Sequence, residues 1–198
     1  MRRFITTICL LMLSWSAAAE EGVWQILQRV SDYMGPQKGY EVRFAIKAEG
    51  YNTEGRYCVK GDSYYIEVAD AEVYSDGKVR YEVDNLRREV NVDNMDSNSR
   101  NIMDNPTRCF DFVEEDYTAE IVKRDANDIM LRLQSKDKSV EGEIYLTVNS
   151  DSGAPQRVEY LLYDDKMCVE VVAINRAAGN VKSFARSAYK DYEMIDFR

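Results

Sequence analysis

The chain contains no histidine. That single absence excludes Ser-His-Asp and Cys-His nucleophilic catalysis, imidazole acid–base chemistry and histidine-ligated zinc. Walker loops, Gly-x-Ser-x-Gly elbows and dinucleotide fingerprints are also missing. The four cysteines include no Cys-x-x-Cys pair, so neither thioredoxin-like exchange nor a zinc knuckle is suggested. Long apolar runs are scarce. The one candidate, Phe4 to Trp15, is shorter than the roughly 20 residues needed to span a bilayer. Basic charge is outnumbered, with 26 Lys and Arg against 35 Asp and Glu and a net charge of −9. An acidic chain with dispersed cations is a poor nucleic-acid binder and gains nothing from anionic headgroups, so a neutral, apolar or basic partner is expected.

Of enzyme chemistries, only a carboxylate pair acting on a sugar stays open. With so many acids, Asp164-Asp165 and Glu114-Glu115-Asp116 read as solvated turns and not as active sites. Asn149 to Gly153 lacks the full ligand register of a calcium loop and reads as a hairpin turn. No catalytic residue, metal ligand or cofactor is assigned, and the chain is read as a non-enzyme.

What is present begins with a targeting pattern. Arg2-Arg3, the apolar run and the small residues Ala17-Ala18-Ala19 have the form of a cleavable export signal over residues 1–19. Residues 20–198 are then expected to form one domain, exported and not anchored. Cys58, Cys109 and Cys168 would remain, at most one pair of them bonded, and are read as small core residues. Val23, Ile26, Leu27, Val30, Tyr33 and Met34 recur on one helical face, ended by Gly35-Pro36. Alternation then marks strands at 40–49, 55–60 and 64–68 and a meander over 71–93, with Asp76-Gly77 as a type I′ turn. A second helix is predicted from Pro106, with Asn105 as its cap, to about Glu115. Further strands are predicted at 117–122, 129–133, 140–148, 156–163, 167–174 and 181–184. The fold class is α+β, mainly antiparallel β, with the sheet closing on itself.

Tyr74-Ser75-Asp76-Gly77-Lys78 within this order of elements, and the ending Tyr189 to Arg198, resemble the signatures of the LolA-like family of periplasmic lipoprotein carriers. The resemblance implies a curved half-barrel sheet with helices covering its concave mouth. It implies a periplasmic, monomeric carrier that shields lipoprotein acyl chains or lipid and delivers them toward the outer membrane. An inner-membrane release complex and an outer-membrane receptor would be its partners. The alternative on the same fold is a lipid-sensing or envelope-protein-binding module without a transport role.

Alternation nominates the inward residues: Val42, Phe44 and Ile46; Val59, Tyr64 and Ile66; Tyr81 and Val83; Leu131 and Leu133; Ile144 and Leu146. Periodicity alone makes them a dry core. The resemblance makes them the walls of an apolar cavity, with Trp24, Leu27, Cys109 and Phe110 supplying the lid. One departure stands out: Val59-Lys60 is followed by Gly61, where the family carries an arginine tied to lid movement.

Overall fold

The computed structural model describes residues 21–35, 38–97, 106–108, 113–163, 165–177 and 180–198. The expected export signal lies outside these residues, as do Cys109 and Phe110.

Helix α1 runs Val23–Met34, the span its periodicity predicts, and buries Ile26, Leu27, Val30 and Met34 as one stripe. It ends at Gly35, whose φ of 49° is a left-handed conformation that glycine adopts without a Cβ clash. Strands β1 (Tyr40–Ala48), β2 (Tyr51–Lys60), β3 (Ser63–Val68), β4 (Ala71–Ser75), β5 (Val79–Asp84) and β6 (Glu89–Asn94) form a first meander. After a 3₁₀ turn at Pro106–Arg108 and the short helix α2 (Val113–Asp116) comes a second meander. It consists of β7 (Tyr117–Arg124), β8 (Asp128–Ser135), β9 (Glu143–Asn149), β10 (Pro155–Leu162) and β11 (Asp165–Asn175). Strand β12 (Glu193–Asp196) ends the chain.

All twelve strands join one sheet in the order β12-β6-β5-β4-β3-β2-β1-β11-β10-β9-β8-β7. The two meanders meet where β1 pairs with β11 from Glu41–Asn175 to Lys47–Cys168. Every pairing is antiparallel except β12 on β6. The expected closure does not occur: β12 and β7 stand at opposite edges of an open sheet. Local pattern cannot tell an open sheet from a closed one, because closure depends on which distant strands pair.

Two other expectations change. Val181–Phe184 forms no strand; Val181 and Phe184 instead pack as side chains against the sheet. The Asp76-Gly77 turn is not the two-residue type I′ form, since Ser75 pairs with Arg80 and only Gly77 has positive φ. The Asp76 carboxylate closes the turn by accepting from the Lys78 and Val79 amides, both at 2.9 Å. Gly77 fits there because a Cβ would lie 2.7 Å from the Asp62 Cβ of the neighbouring turn.

Each side of the sheet is covered. On one side α1 packs over a cluster of Ile129, Leu131, Leu133, Leu146 and Val148, joined by Val113 of α2. Its last buried residue, Met34, joins Tyr40, Val42, Val59, Tyr64, Ile66 and Val73. On the other side Cys58, Tyr65, Tyr74, Val83, Val90 and Val92 are covered by the C-terminal segment through Val181, Phe184 and Tyr189.

Candidate functional site

Directly paired residues of neighbouring strands project to the same side of a sheet, so register assigns sides. Ile46 pairs with Val169, Val169 with Val158, Val158 with Leu146, and Leu146 with Leu131. Tyr160 pairs with Ile144, which pairs with Leu133. All of these therefore lie on the α1 side. The fully buried ends of that face are its two clusters. Between them, Ile46, Ile144, Val158, Tyr160 and Val169 are apolar or aromatic yet only half-buried.

Tyr160 shows what kind of surface this is. Desolvation pushes its phenol above the usual tyrosine range, with a smaller contribution from Tyr117, although part of the residue remains exposed. The phenol is thus crowded by protein while the residue still meets water.

Helix α1 lies toward one end of this face. Arg29 donates to the backbone oxygens of Ser150 and Asp151 at 2.9 and 3.0 Å, and to Glu21 at 2.8 Å. Arg124 donates to the Glu21 carbonyl at 2.8 Å. Gly153 lets the β9–β10 turn approach the helix, because a Cβ there would sit 3.0–3.2 Å from Arg29. The helix is thus fastened by polar contacts at its first turns, while its apolar stripe bridges the two clusters.

The structure divides the sequence-nominated residues. Val42, Val59, Tyr64 and Ile66 come together in one cluster; Leu131, Leu133 and Leu146 come together with Leu27 in the other, with Ile144 against them. Phe44 is buried and Ile46 half-buried on the same side of β1. Tyr81 and Val83 do not belong with them. Tyr81 pairs with Tyr74 and Val83 with Glu72, which puts both on the opposite side, where Val83 is fully buried. The α1-side residues of β5 include Arg80 and Glu82, an ion pair at 2.8 Å. Alternation tells which residues of a strand share a side but not which side, so the nomination of Tyr81 and Val83 failed on register. Trp24 stands on α1 but is 36% exposed, turned away from the stripe that Leu27 shares. Cys109 and Phe110 fall outside the described residues. Gly61 has φ +58° on the β2–β3 turn, which glycine adopts without strain, but Arg88 holds φ 59° in the same chain, so turn geometry alone does not explain the departure at this position.

The opposite side holds a polar centre that periodicity gave no hint of. The Glu72 carboxylate accepts from Lys182 Nζ at 2.6 Å, from the Tyr65 and Tyr74 hydroxyls at 2.7 and 2.9 Å, and from the Tyr189 hydroxyl at 2.7 Å. Desolvation opposes its charge, but Lys182, Tyr189, Tyr65 and Tyr74 outweigh that and hold its carboxyl at about 2. Tyr74 is pushed up to about 12, first by desolvation. Phe184 stacks between Tyr81 and Tyr189, with ring centroids 4.0 and 5.5 Å away. A cleft of about 580 Å³ opens beside this stack, lined by Lys60, Ser63, Ser75, Asp76 and Asn180 among others. Every donor to Glu72 is engaged in fastening residues 182–189, so this centre is an anchor. Cys58 and Cys168 are buried and unpaired; desolvation, then the Glu41 contact, pushes the Cys58 thiol up to about 12, which makes it inert.

Against known proteins, the family model described as outer membrane lipoprotein carrier protein LolA matches residues 13–161. No curated protein matches the chain. An uncharacterized conserved protein from Thermus thermophilus superposes with a TM-score of 0.58 at 9% identity, covering 87% of this chain and 98% of that one. This likeness concerns the fold alone. A LolA superfamily protein from Nitrosomonas europaea gives a TM-score of 0.40 at 11% identity, covering 85% and 97%. A chain of the Pseudomonas aeruginosa MucA/MucB complex gives 0.42 at 16% identity, covering 83% of this chain and 59% of that one.

Proposed function

The chain belongs to the family of the outer membrane lipoprotein carrier protein LolA, and from that premise we propose that it is a periplasmic carrier. It shields lipoprotein acyl chains on the α1 side of its sheet and delivers them toward the outer membrane without covalent chemistry. Residues 1–19 direct export and are removed, leaving one domain over 20–198. Loading from an inner-membrane release complex and unloading to an outer-membrane receptor would then be exchanges between binding sites of different affinity.

The observation that supports this most is the half-buried apolar strip of Ile46, Ile144, Val158, Tyr160 and Val169 between two packed clusters. Each CH₂ removed from water contributes about 0.8 kcal/mol, so one sixteen-carbon chain gains on the order of 12 kcal/mol gross. Val42, Phe44, Val59, Tyr64, Ile66, Leu131, Leu133 and Leu146 extend this strip once α1, with Leu27 on its inner stripe, shifts as a lid. That movement would break the Arg29 contacts and exchange the burial of Ile26, Leu27, Val30 and Met34 against the sheet for burial against the bound chain.

The test is to isolate the exported protein from its cells and extract it for lipid mass spectrometry. Acyl species in near-stoichiometric amount are expected. An extract with none above background, from protein that also fails to take up a fluorescent fatty acid, would overturn the carrier reading.

A further inference from the structure

The two ends of the sheet are built differently. At one end the turns at Gly61-Asp62, Asp76-Gly77, 125–127 and 149–153 are polar, and Asp76, Asp125 and Asn149 close theirs with their own side-chain oxygens. The other end carries the β3–β4 turn, the β5–β6 turn with its exposed Leu86, and three neighbouring turns that present apolar side chains to water. Tyr51 follows the β1–β2 turn, Leu162 and Tyr163 stand at the β10–β11 turn with Met167 beside them, and Val140 lies between β8 and β9. Because the sheet order runs β2-β1-β11-β10-β9-β8, these turns are consecutive along the rim, each about 10 Å from the next.

Register joins this rim to the half-buried strip. Tyr51 pairs with Ala48, two residues beyond Ile46; Met167 pairs with Tyr160; and Leu162 is two residues beyond Tyr160. Tyr51, Met167 and Leu162 therefore share the α1 side, and an apolar track leads from Ile46 and Tyr160 out to the rim. Tyr163 adds a separate observation. It is 81% exposed and holds φ at 54°, a conformation suited to glycine or asparagine. Ala69 and Arg88 also hold positive φ in turns, but Tyr163 alone of the three is an aromatic side chain, and burial does not account for it there.

We propose that this rim seats the protein on a neutral lipid surface, with Leu162 and Tyr163 entering the interface and the track of Met167, Tyr160 and Ile46 open to hydrocarbon. The proposal rests on the carrier reading and gives it a port. Three observations favour lipid as the occupant. The rim is continuous with the strip assigned to acyl chains. Tyr51 and Tyr163 are aromatic side chains of the kind that suits an apolar–water boundary, where the ring sits at headgroup level. In sequence the three turns carry Lys136, Lys138 and Lys166 against Glu49, Asp137, Glu141, Asp164 and Asp165, so no cationic patch draws them to anionic headgroups and the surface implied is a neutral one.

The test is flotation of the exported protein with phosphatidylcholine vesicles at low and high salt. Wild type partitions with little salt dependence. The variant Leu162→Asp/Tyr163→Asp loses roughly tenfold or more, whereas Phe197→Asp, at an exposed aromatic on the opposite end of the sheet, leaves partition unchanged. Tyr163→Gly relieves the positive φ, so it raises the melting temperature while lowering partition, a combination that a purely structural tyrosine would not give. Failure of wild type to float, equal flotation of the Leu162/Tyr163 variant, or an equal loss in Phe197→Asp would overturn the rim. Acyl content of the same samples is measured separately. Cargo without flotation sinks the rim and leaves the carrier; flotation without cargo in any sample sinks the carrier.

Discussion

Replacing Glu72 with glutamine isolates the anchor that holds the C-terminal segment. In the wild type the carboxyl is held at about 2 instead of 4.5, and its side chain is 14% exposed. Each pH unit of such a difference corresponds to about 1.4 kcal/mol, giving an upper value of roughly 3 kcal/mol for the charged form. An amide still accepts at one oxygen but cannot accept at its nitrogen, so it keeps part of this; a loss of about 2 kcal/mol at pH 7 is expected. The sign follows from the lowered value: the stabilisation is complete above about 4.5 and disappears as pH falls toward about 2. Wild type and Glu72→Gln should therefore differ most at neutral pH and converge near pH 2. Urea unfolding across that range reads the difference directly. Asp125 and Asp196, also held at about 2, are common to both proteins and cancel. Hydrogen exchange locates the effect, since the Glu193 and Phe197 amides that dock β12 through Arg88 and Val92 should lose protection first. A difference that stays constant from pH 7 to 2, or none at pH 7, would refute the assignment of Glu72 as the anchor.

Gly55→Ala should destabilise the fold by about 1–3 kcal/mol, read as a lowered melting temperature. The new Cβ would lie 2.6 Å from Phe44 Cζ and 2.8 Å from the Glu67 carbonyl oxygen, and the latter is backbone that cannot swing aside. Substitutions on the two sides of the sheet should separate in the acyl assay. Ile46→Asp should cut bound lipid with little loss of stability, because Ile46 is only half-buried. Val83→Ala should cost on the order of 1–2 kcal/mol as a cavity in the opposite cluster and leave bound lipid unchanged. Reduced lipid in Val83→Ala at full folding would contradict the assignment of sides.

The amino-acid sequence by itself determined whatever depends on neighbours a few residues apart. Helix α1 starts and stops where the three- and four-residue spacing of Val23 to Met34 and Gly35 say it must, because helical hydrogen bonds and the apolar stripe are local. The strands of both meanders are legible for the same reason, and the absence of histidine narrowed the chemistry before any coordinate was known. Tertiary structure decided the rest. The pairing of β1 with β11, the open edges and the parallel docking of β12 link segments far apart in the chain, where no local energy ranks one partner over another. Val181 and Phe184 are three residues apart, a spacing that would put them on opposite faces of a strand, and both instead pack on one side of the sheet, with Phe184 against Tyr74 and Tyr81. Tyr81 and Val83 kept their alternation and changed sides, because a period of two fixes relative facing only and register supplies the absolute choice. Glu72 gathers Lys182 and Tyr189 across more than a hundred residues, a convergence that exists only once the sheet has brought its back face and the chain's end together.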